Sequence, residues 1–460
     1  MPKKARTIFV CQECGYESLK WMGQCICGAW NSMAEEKISI DNGNDPRSVN
    51  FGKSENPEKV KPLSKIIVSD QGNRLDTGIG ELNRVLGGGI VPGSLTLVSG
   101  EPGIGKSTLI LQMALNIAKK EGKVLYISGE ESGEQIKLRG DRICSEISEN
   151  LYVLSETDMD NIAIAIENIK PVFLIIDSIQ TMYTSSLDSA PGSVSQVRGC
   201  GNILMRIGKG LSIPVFIIAH VTKSGDLAGP KLLEHMVDCV LHFSGERNRE
   251  FRVLRSYKNR FGTTSEIGAF EMCQSGLNEI NDLSKRFLEE MDDSGEGSMV
   301  TAVYEGTRPM LLEVQALTAS ANVGFARRTA IGIENGRLNM LIAVLEKKAS
   351  LLLADKDIYV NIVGGFKPEG TSCDLAVALA IHSAYTQKAI SKKTLALGEI
   401  GLTGDLRQVP NAEKIIKEAV RMGFEKIILP KGQAVKSAKN NIKILGVKNL
   451  KEAISCYGQE

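Results

Sequence analysis

The sequence predicts an α/β protein whose main body is a mostly parallel sheet with helices on both faces. Three observations predict it. Short apolar runs, "SLTLVS", "KVLYIS", "PVFLIID" and "PVFIIAH", alternate with helix-patterned stretches between residues 63 and 280. Strands apolar on both faces belong to a buried parallel sheet covered by helices. A glycine-rich loop, "GEPGIGKST" (Gly100–Thr108), follows the first of these runs and opens a helical pattern, which is the strand–loop–helix context of a phosphate loop. Four cysteines crowd residues 11–27, in a stretch too short for a hydrophobic core of its own.

Along the chain, residues 1–32 read as a small cysteine-bearing module and the polar residues 33–62 as a linker. The α/β core occupies 63–280. Residues 281–298, acidic and rich in Gly and Ser, read as a second linker, and 299–460 as a separate α/β unit. A length of 460 residues suits two or three domains. A hydrophobic content of 42% with 24% charged residues is that of a globular protein. Lys and Arg number 55 against 54 Asp and Glu, so any nucleic-acid surface must be a local patch. No apolar run reaches bilayer length and the start, "MPKKARTIFV", lacks a signal-peptide core. A cytoplasmic protein with no membrane partner is expected. The remaining six cysteines, Cys144, Cys200, Cys239, Cys273, Cys373 and Cys456, are scattered and read as small core residues in a reducing compartment.

The phosphate loop carries the chemistry. Gly100, Gly103 and Gly105 let the backbone curl so that N–H groups face phosphate oxygens at a helix N-terminus. Glu101, Pro102 and Ile104 complete the ATP-binding segment. Lys106 is expected to reach the β- and γ-phosphates, Ser107 to ligate Mg²⁺ and Thr108 to support the pocket. Asp177 ends the run "PVFLIID", where a carboxylate can hold the magnesium ion with Ser107. "KVLYISGEES" ends a strand at Glu130 and Glu131, the ligand-binding edge of such a sheet. Glu130 is the candidate for orienting the attacking water, and Glu131 is its competitor. His220, at the tip of "PVFIIAH", is either a γ-phosphate sensor or a satisfied strand-end residue.

The stretch "LDTGIGELNRVLGGGIVPGSLTLVSGEPGIGKST" resembles the opening of RecA/KaiC-type ATPase cores, and "SYKNRFG" (Ser256–Gly262) with "HMVDCVLHF" resembles the bacterial RadA (Sms) family. That resemblance covers nearly the whole chain. It implies a RecA-like core, a catalytic set of Lys106, Glu130, Asp177 and His220, and a homo-hexameric ring. In such a ring Lys258 and Arg260 would complete the ATP site of a neighbouring subunit. It also implies a DNA-dependent ATPase of homologous recombination and repair. Such a motor translocates on single-stranded DNA, promotes branch migration, and has branched DNA and a RecA-type recombinase as partners. The alternative is a nucleotide-switched assembly protein of the KaiC kind, with no DNA motion.

"CQECGYESLKWMGQCIC" supplies Cys11, Cys14, Cys25 and Cys27, which suit a tetrahedral Zn²⁺ site that folds the module. The module resembles the family's zinc finger, with one departure: a single residue, Ile26, separates the last two cysteines. A redox pair of Cys25 and Cys27 is the alternative. Two polar stretches, 188–200 with Arg198 and 221–231 with Lys223 and Lys231, read as loops at the sheet's ligand edge. The resemblance to RecA-like rings implies that they contact single-stranded DNA phosphates, and the alternative is plain solvated surface.

Residues 299–457 resemble the proteolytic domain of Lon proteases, with Ser372 at the nucleophile position. Aligning "GEIGLTG" (Gly398–Gly404) puts Glu413 at the lysine position, with Lys414 next. A Ser–Lys dyad needs a neutral amine as base, so an inactive protease domain is expected. Lys347, Lys348, Arg327, Arg328 and Lys367 are either further phosphate-contact candidates there or plain solvated surface.

Overall fold

The computed structural model describes residues 5–11, 15–39, 64, 74–220, 228–245, 251–288, 291, 295–321, 326–363, 368, 370–434 and 442–457. The chain divides into two compact units, Met1–Glu279 and Ile280–Glu460.

The first unit opens with a three-stranded antiparallel sheet, order β2-β1-β3, made of β1 (Ala5–Cys11), β2 (Glu17–Ser18) and β3 (Met33–Ser39). Strand β3 takes up residues expected in the linker. Its first residue, Met33, is buried against Cys11 and Cys25, so the cysteine module runs on through Ser39.

The core of this unit follows in the order α1 (Gly80–Leu86), β4 (Leu95–Gly100), α2 (Lys106–Lys120), β5 (Val124–Ser128), α3 (Gly133–Ile143), β6 (Leu151–Ser155), α4 (Met159–Ile169) and β7 (Phe173–Asp177). Then come α5 (Val194–Leu211), β8 (Val215–Ile218), α6 (Ala228–Met236), β9 (Cys239–Ser244), β10 (Phe251–Asn259), β11 (Ile267–Cys273) and β12 (Gly276–Glu279). The sheet has nine strands in the order β12-β11-β10-β9-β4-β8-β7-β5-β6. Strands from β9 to β6 run parallel, and β10, β11 and β12 add antiparallel pairs.

Strands β4, β5, β7 and β8 are buried along their whole length, because both faces are covered. Alternation sorts their side chains. Tyr126, Phe173, Ile175 and Phe216 pack with Ile110, Met113 and Ile117 of α2. Leu125, Ile127, Leu174 and Ile176 pack on the other face with Ile162 and Ile166 of α4 and Ile203, Leu204 and Ile207 of α5. The mostly parallel sheet with helices on both faces, expected from the alternating runs, is therefore present.

The second unit begins with α7 (Leu283–Leu288), inside the stretch expected as a linker. Leu283 and Phe287, four residues apart, are buried, and Ser284 Oγ donates to Glu418 Oε1 at 2.7 Å. The following elements are β13 (Ser298–Glu305), β14 (Arg308–Ser320), β15 (Arg328–Ile331), α8 (Asn335–Lys348), β16 (Lys356–Ile362), α9 (Asp374–Thr386) and β17 (Thr394–Ala396). A hairpin of β18 (Glu399–Ile400) and β19 (Leu406–Arg407) precedes α10 (Ala412–Arg421), β20 (Lys426–Pro430), α11 (Lys431–Ala434), β21 (Lys443–Val447) and α12 (Leu450–Tyr457). The main sheet here has seven strands in the order β15-β16-β14-β13-β17-β20-β21. No helix among the described residues is long and apolar enough to cross a membrane.

Candidate active site

Parallel strands deliver their C-terminal ends to one edge of the sheet. Gly100 ends β4, Ser128 ends β5 and Asp177 ends β7, with Ser128 and Asp177 in register. Strand β8 lies between β4 and β7, so His220, two residues past its end, emerges between the phosphate loop and Asp177.

The loop itself needs its glycines. Gly100, Gly103 and Gly105 have φ of 151°, 78° and 111°, which L side chains rarely adopt. A Cβ at Gly100 would sit 2.4 Å from the Phe243 carbonyl oxygen, whereas at Gly103 it would meet open space. The loop is thus packed against the sheet on one side and open on the other. Lys106, only 3% exposed, starts α2. Its Nζ donates to the carbonyls of Gly100 at 2.8 Å and Glu101 at 2.9 Å. Burial pushes its pKa down to about 8, opposed by the charges of Asp177 and Glu130.

Asp177 is 8% exposed, and its Oδ2 accepts a 2.5 Å hydrogen bond from Tyr126 OH. Ser107 stands in the first turn of α2. A hydroxyl and a carboxylate are hard oxygen donors and fit magnesium.

The structure separates the two adjacent glutamates. Glu130 Oε1 accepts from Ser178 Oγ at 2.6 Å and lies 3.6 Å from His220 Nε2. Glu131 forms an ion pair with Arg139 of α3, while its backbone N–H and C=O bond Ser128 Oγ. Burial, with Lys106 nearby, lowers the pKa of His220, so its imidazole is neutral at pH 7. Gln180 Nε2 donates to the His220 carbonyl at 3.2 Å. Nδ1 of His220 and Oε1 of Gln180 are buried with no hydrogen-bond partner among the described residues. Orphaned polar atoms beside a glycine cradle fit a polar ligand such as a nucleotide phosphate.

Lys258 and Arg260 are not part of this edge. Lys258 pairs with Val240, which is in register with Leu97, whereas Gly100 pairs with Phe243. Three residues of strand, roughly 10 Å, therefore separate the level of Lys258 from the phosphate loop of its own chain. Lys258 Nζ donates to the Glu234 carbonyl at 2.7 Å, at the C-terminal end of α6, and Arg260 Nη1 lies 3.0 Å from Asp238 Oδ1.

Of the residues expected to touch DNA, Lys223 lies outside the described residues, as does the side chain of Lys231. Arg198 is exposed, but the loop expected around it is helical: Ser193 caps α5 by accepting from Gln196 N. Arg198 Nη1 donates to the Gly15 carbonyl of the cysteine module at 3.2 Å.

In that module the sulfur atoms of Cys11, Cys25 and Cys27 all lie within 4.8 Å of one another, with Cys11 and Cys27 3.8 Å apart. Tetrahedral zinc with sulfur at ~2.3 Å sets sulfur separations of about 3.8 Å, so the three thiols fit the metal. Cys14, the expected fourth ligand, lies outside the described residues.

Ser372 sits in the turn before α9, its carbonyl accepting from Gly398 N at 3.1 Å. Glu413 and Lys414 lie exposed in the first turn of α10. The amine of Lys414 donates to Tyr304 OH at 2.6 Å and lies 5.0 Å from that ring's centroid. Lys367 lies outside the described residues.

Sequence reasoning missed Tyr126 and Ser178, which bond Asp177 and Glu130. Tyr126 carried a signal, since a phenol within a fully apolar strand must find a partner for its hydroxyl. Ser178 carried none beyond following Asp177.

A family model described as an AAA domain matches residues 57–226, a rubredoxin metal binding domain matches residues 9–35, and subunit ChlI of Mg-chelatase matches residues 320–433. The chain is 48% identical to the DNA repair protein RadA of Bacillus subtilis (strain 168) over 98% of both chains. It is 47% identical to that of Listeria monocytogenes serovar 1/2a over 98% of both, and 50% identical to that of Streptococcus pyogenes serotype M1 over 94% of both. At that identity over nearly its whole length, the chain belongs to the RadA family of DNA repair proteins.

Proposed function

We propose that the chain is a DNA-dependent ATPase of homologous recombination and DNA repair that translocates on single-stranded DNA to drive branch migration. The observation that carries this reading is the convergence of Lys106, Asp177, Glu130 and His220 on one sheet edge around the glycine loop, in a chain of a DNA repair family.

Lys106 and the loop N–H groups, from Gly100 through Glu101, Gly103, Ile104 and Gly105 to Ser107 and Thr108, bind the ATP phosphates. Ser107 and Asp177 would hold magnesium, which when bound offsets charge on the transferring phosphate. Glu130, steadied by Ser178, orients the attacking water and accepts its proton. The neutral His220 senses the γ-phosphate. Because Lys258 and Arg260 lie away from their own chain's phosphate loop, they serve the ATP site of the next subunit in a homo-hexamer. Arg198, Lys223 and Lys231 contact DNA phosphates, and a RecA-type recombinase is the partner. Cys11, Cys14, Cys25 and Cys27 hold zinc. The Lon-protease-like unit is proteolytically inactive.

A labelled branched DNA junction tests the motor directly. The wild-type protein with ATP and magnesium should migrate the branch, and Lys106→Ala should not. ATP-dependent assembly without any branch movement would favour the nucleotide-switched reading instead. Mixing Lys258→Ala with Glu130→Gln chains tests the shared site: some turnover should return, because an interface that takes Glu130 from one chain and Lys258 from the other carries neither lesion. Absence of rescue would remove Lys258 from the neighbour's site.

A further inference from the structure

Tyr257 is 64% exposed, yet its ring is stacked on His242, with centroids 5.3 Å apart and planes 29° apart. It also occupies the one register break among the described residues of β9 and β10: Ser256 pairs with Leu241 and Lys258 with Val240, which leaves Tyr257 unpaired. A bulge of this kind bends its strand and re-aims the next side chain, and the next residue is Lys258. Beneath the stack, His242 Nδ1 lies 3.2 Å from Ser99 Oγ, and Ser99 immediately precedes Gly100 of the phosphate loop. Lys106 and Glu101 are near enough to act on the charge of His242, whose pKa burial lowers. His242 therefore stays a neutral ring at pH 7 and meets the phenol as one aromatic ring on another.

We propose that Tyr257 is a positioning residue: its stack on His242 seats the bulge that aims Lys258, and ties that bulge through Ser99 to the strand leading into the chain's own phosphate loop. The inference rests on the reading that Lys258 serves a neighbouring subunit's ATP site. An exposed aromatic ring is otherwise unremarked on a protein surface. Here it joins an irregular position of the hairpin to a His with a polar contact to the phosphate-loop strand. The arrangement lets the presenting hairpin and the phosphate loop share one rigid seat, so that a subunit's cation is aimed only when its own loop strand is in place.

The full-length protein is assayed for steady-state ATP turnover with single-stranded DNA, alongside binding of a fluorescent ATP analogue. Tyr257→Leu should lower kcat about tenfold or more, the usual cost of a misaimed catalytic group, with KM and analogue binding held within about twofold. His242→Leu, which removes the other ring, should do the same. Tyr257→Phe, which keeps the stack, should stay within about twofold of wild type. In a Lys258→Ala background, Tyr257→Leu should add less than about twofold, because residues acting through one group are not additive. The inference is overturned if Tyr257→Leu turns over normally, if Phe harms as much as Leu, or if the two lesions multiply fully. The two failures are distinguishable. A damaging Lys258→Ala beside a harmless Tyr257→Leu removes only the positioning role. A harmless Lys258→Ala removes the reading of Lys258 itself, and the aim of Tyr257 with it.

Discussion

Tyr126 donates its phenolic proton to Oδ2 of Asp177 across 2.5 Å, from a ring with no exposed surface. Burial and the neighbouring carboxylate hold the phenol's pKa well above its ordinary value, so it remains a donor at every working pH. One carboxylate oxygen is thereby fixed. Partners behind a metal ligand commonly set about 10–100-fold in metal affinity. Tyr126→Phe is therefore expected to raise the magnesium concentration for half-maximal turnover about tenfold. A magnesium titration of both proteins checks this, and coincident curves would remove Tyr126 from the metal's support.

Lys106 gives a pH signature. Its pKa is pushed down to about 8 by burial, while phosphate binding needs the charged ammonium. Below pH 8 the charge is in place. Above it a proton must be taken up on binding, so affinity falls by up to about tenfold per pH unit. Titrating a fluorescent ATP analogue from about pH 7 to 9.5 should show a break near 8 that Lys106→Arg lacks. Affinity flat across that range in the wild-type protein would contradict the assignment.

The adjacent glutamates are expected to behave differently. Glu130→Gln should retain nucleotide and lose about 100-fold to 10,000-fold in kcat, the usual worth of a positioned base. Glu131, whose carboxylate is paired to Arg139 of α3, should tolerate Gln within about threefold in kcat, because a group held by α3 does not serve as the base. Equal losses at both positions would argue that the pair acts together.

Both tryptophans of the chain, Trp21 and Trp30, belong to the cysteine module and are exposed. Their fluorescence therefore reports that module alone. Metal analysis should give one zinc per chain, and chelation should shift the emission while ATP-analogue binding persists. Well under one zinc per chain would leave Cys25 and Cys27 as a redox pair.

The convergence of the candidate residues on one sheet edge was largely legible because those residues are local. The glycine loop, Lys106 and Asp177 each announce themselves by position at the end of an apolar run. What the sequence could not resolve depended on tertiary partners. The choice between Glu130 and Glu131 turns on Ser178 and Arg139, which approach from β7 and α3. Arg198 looked like a loop residue because polar and small residues surround it, but the Ser193 cap starts a helix four residues earlier. The distance of Lys258 from its own phosphate loop is a matter of strand register, and the bulge at Tyr257 shifts that register without any glycine or proline to mark it. Helix α7 was hidden by acidic neighbours, and only the burial of Leu283 and Phe287 reveals it.

The most direct measurement is steady-state ATP hydrolysis with and without single-stranded DNA, with Lys106→Ala as the blank. Strong stimulation by the strand is the expected result, with none in the blank. Turnover that is equal with and without DNA would contradict a DNA-driven motor and leave a nucleotide-switched binding protein.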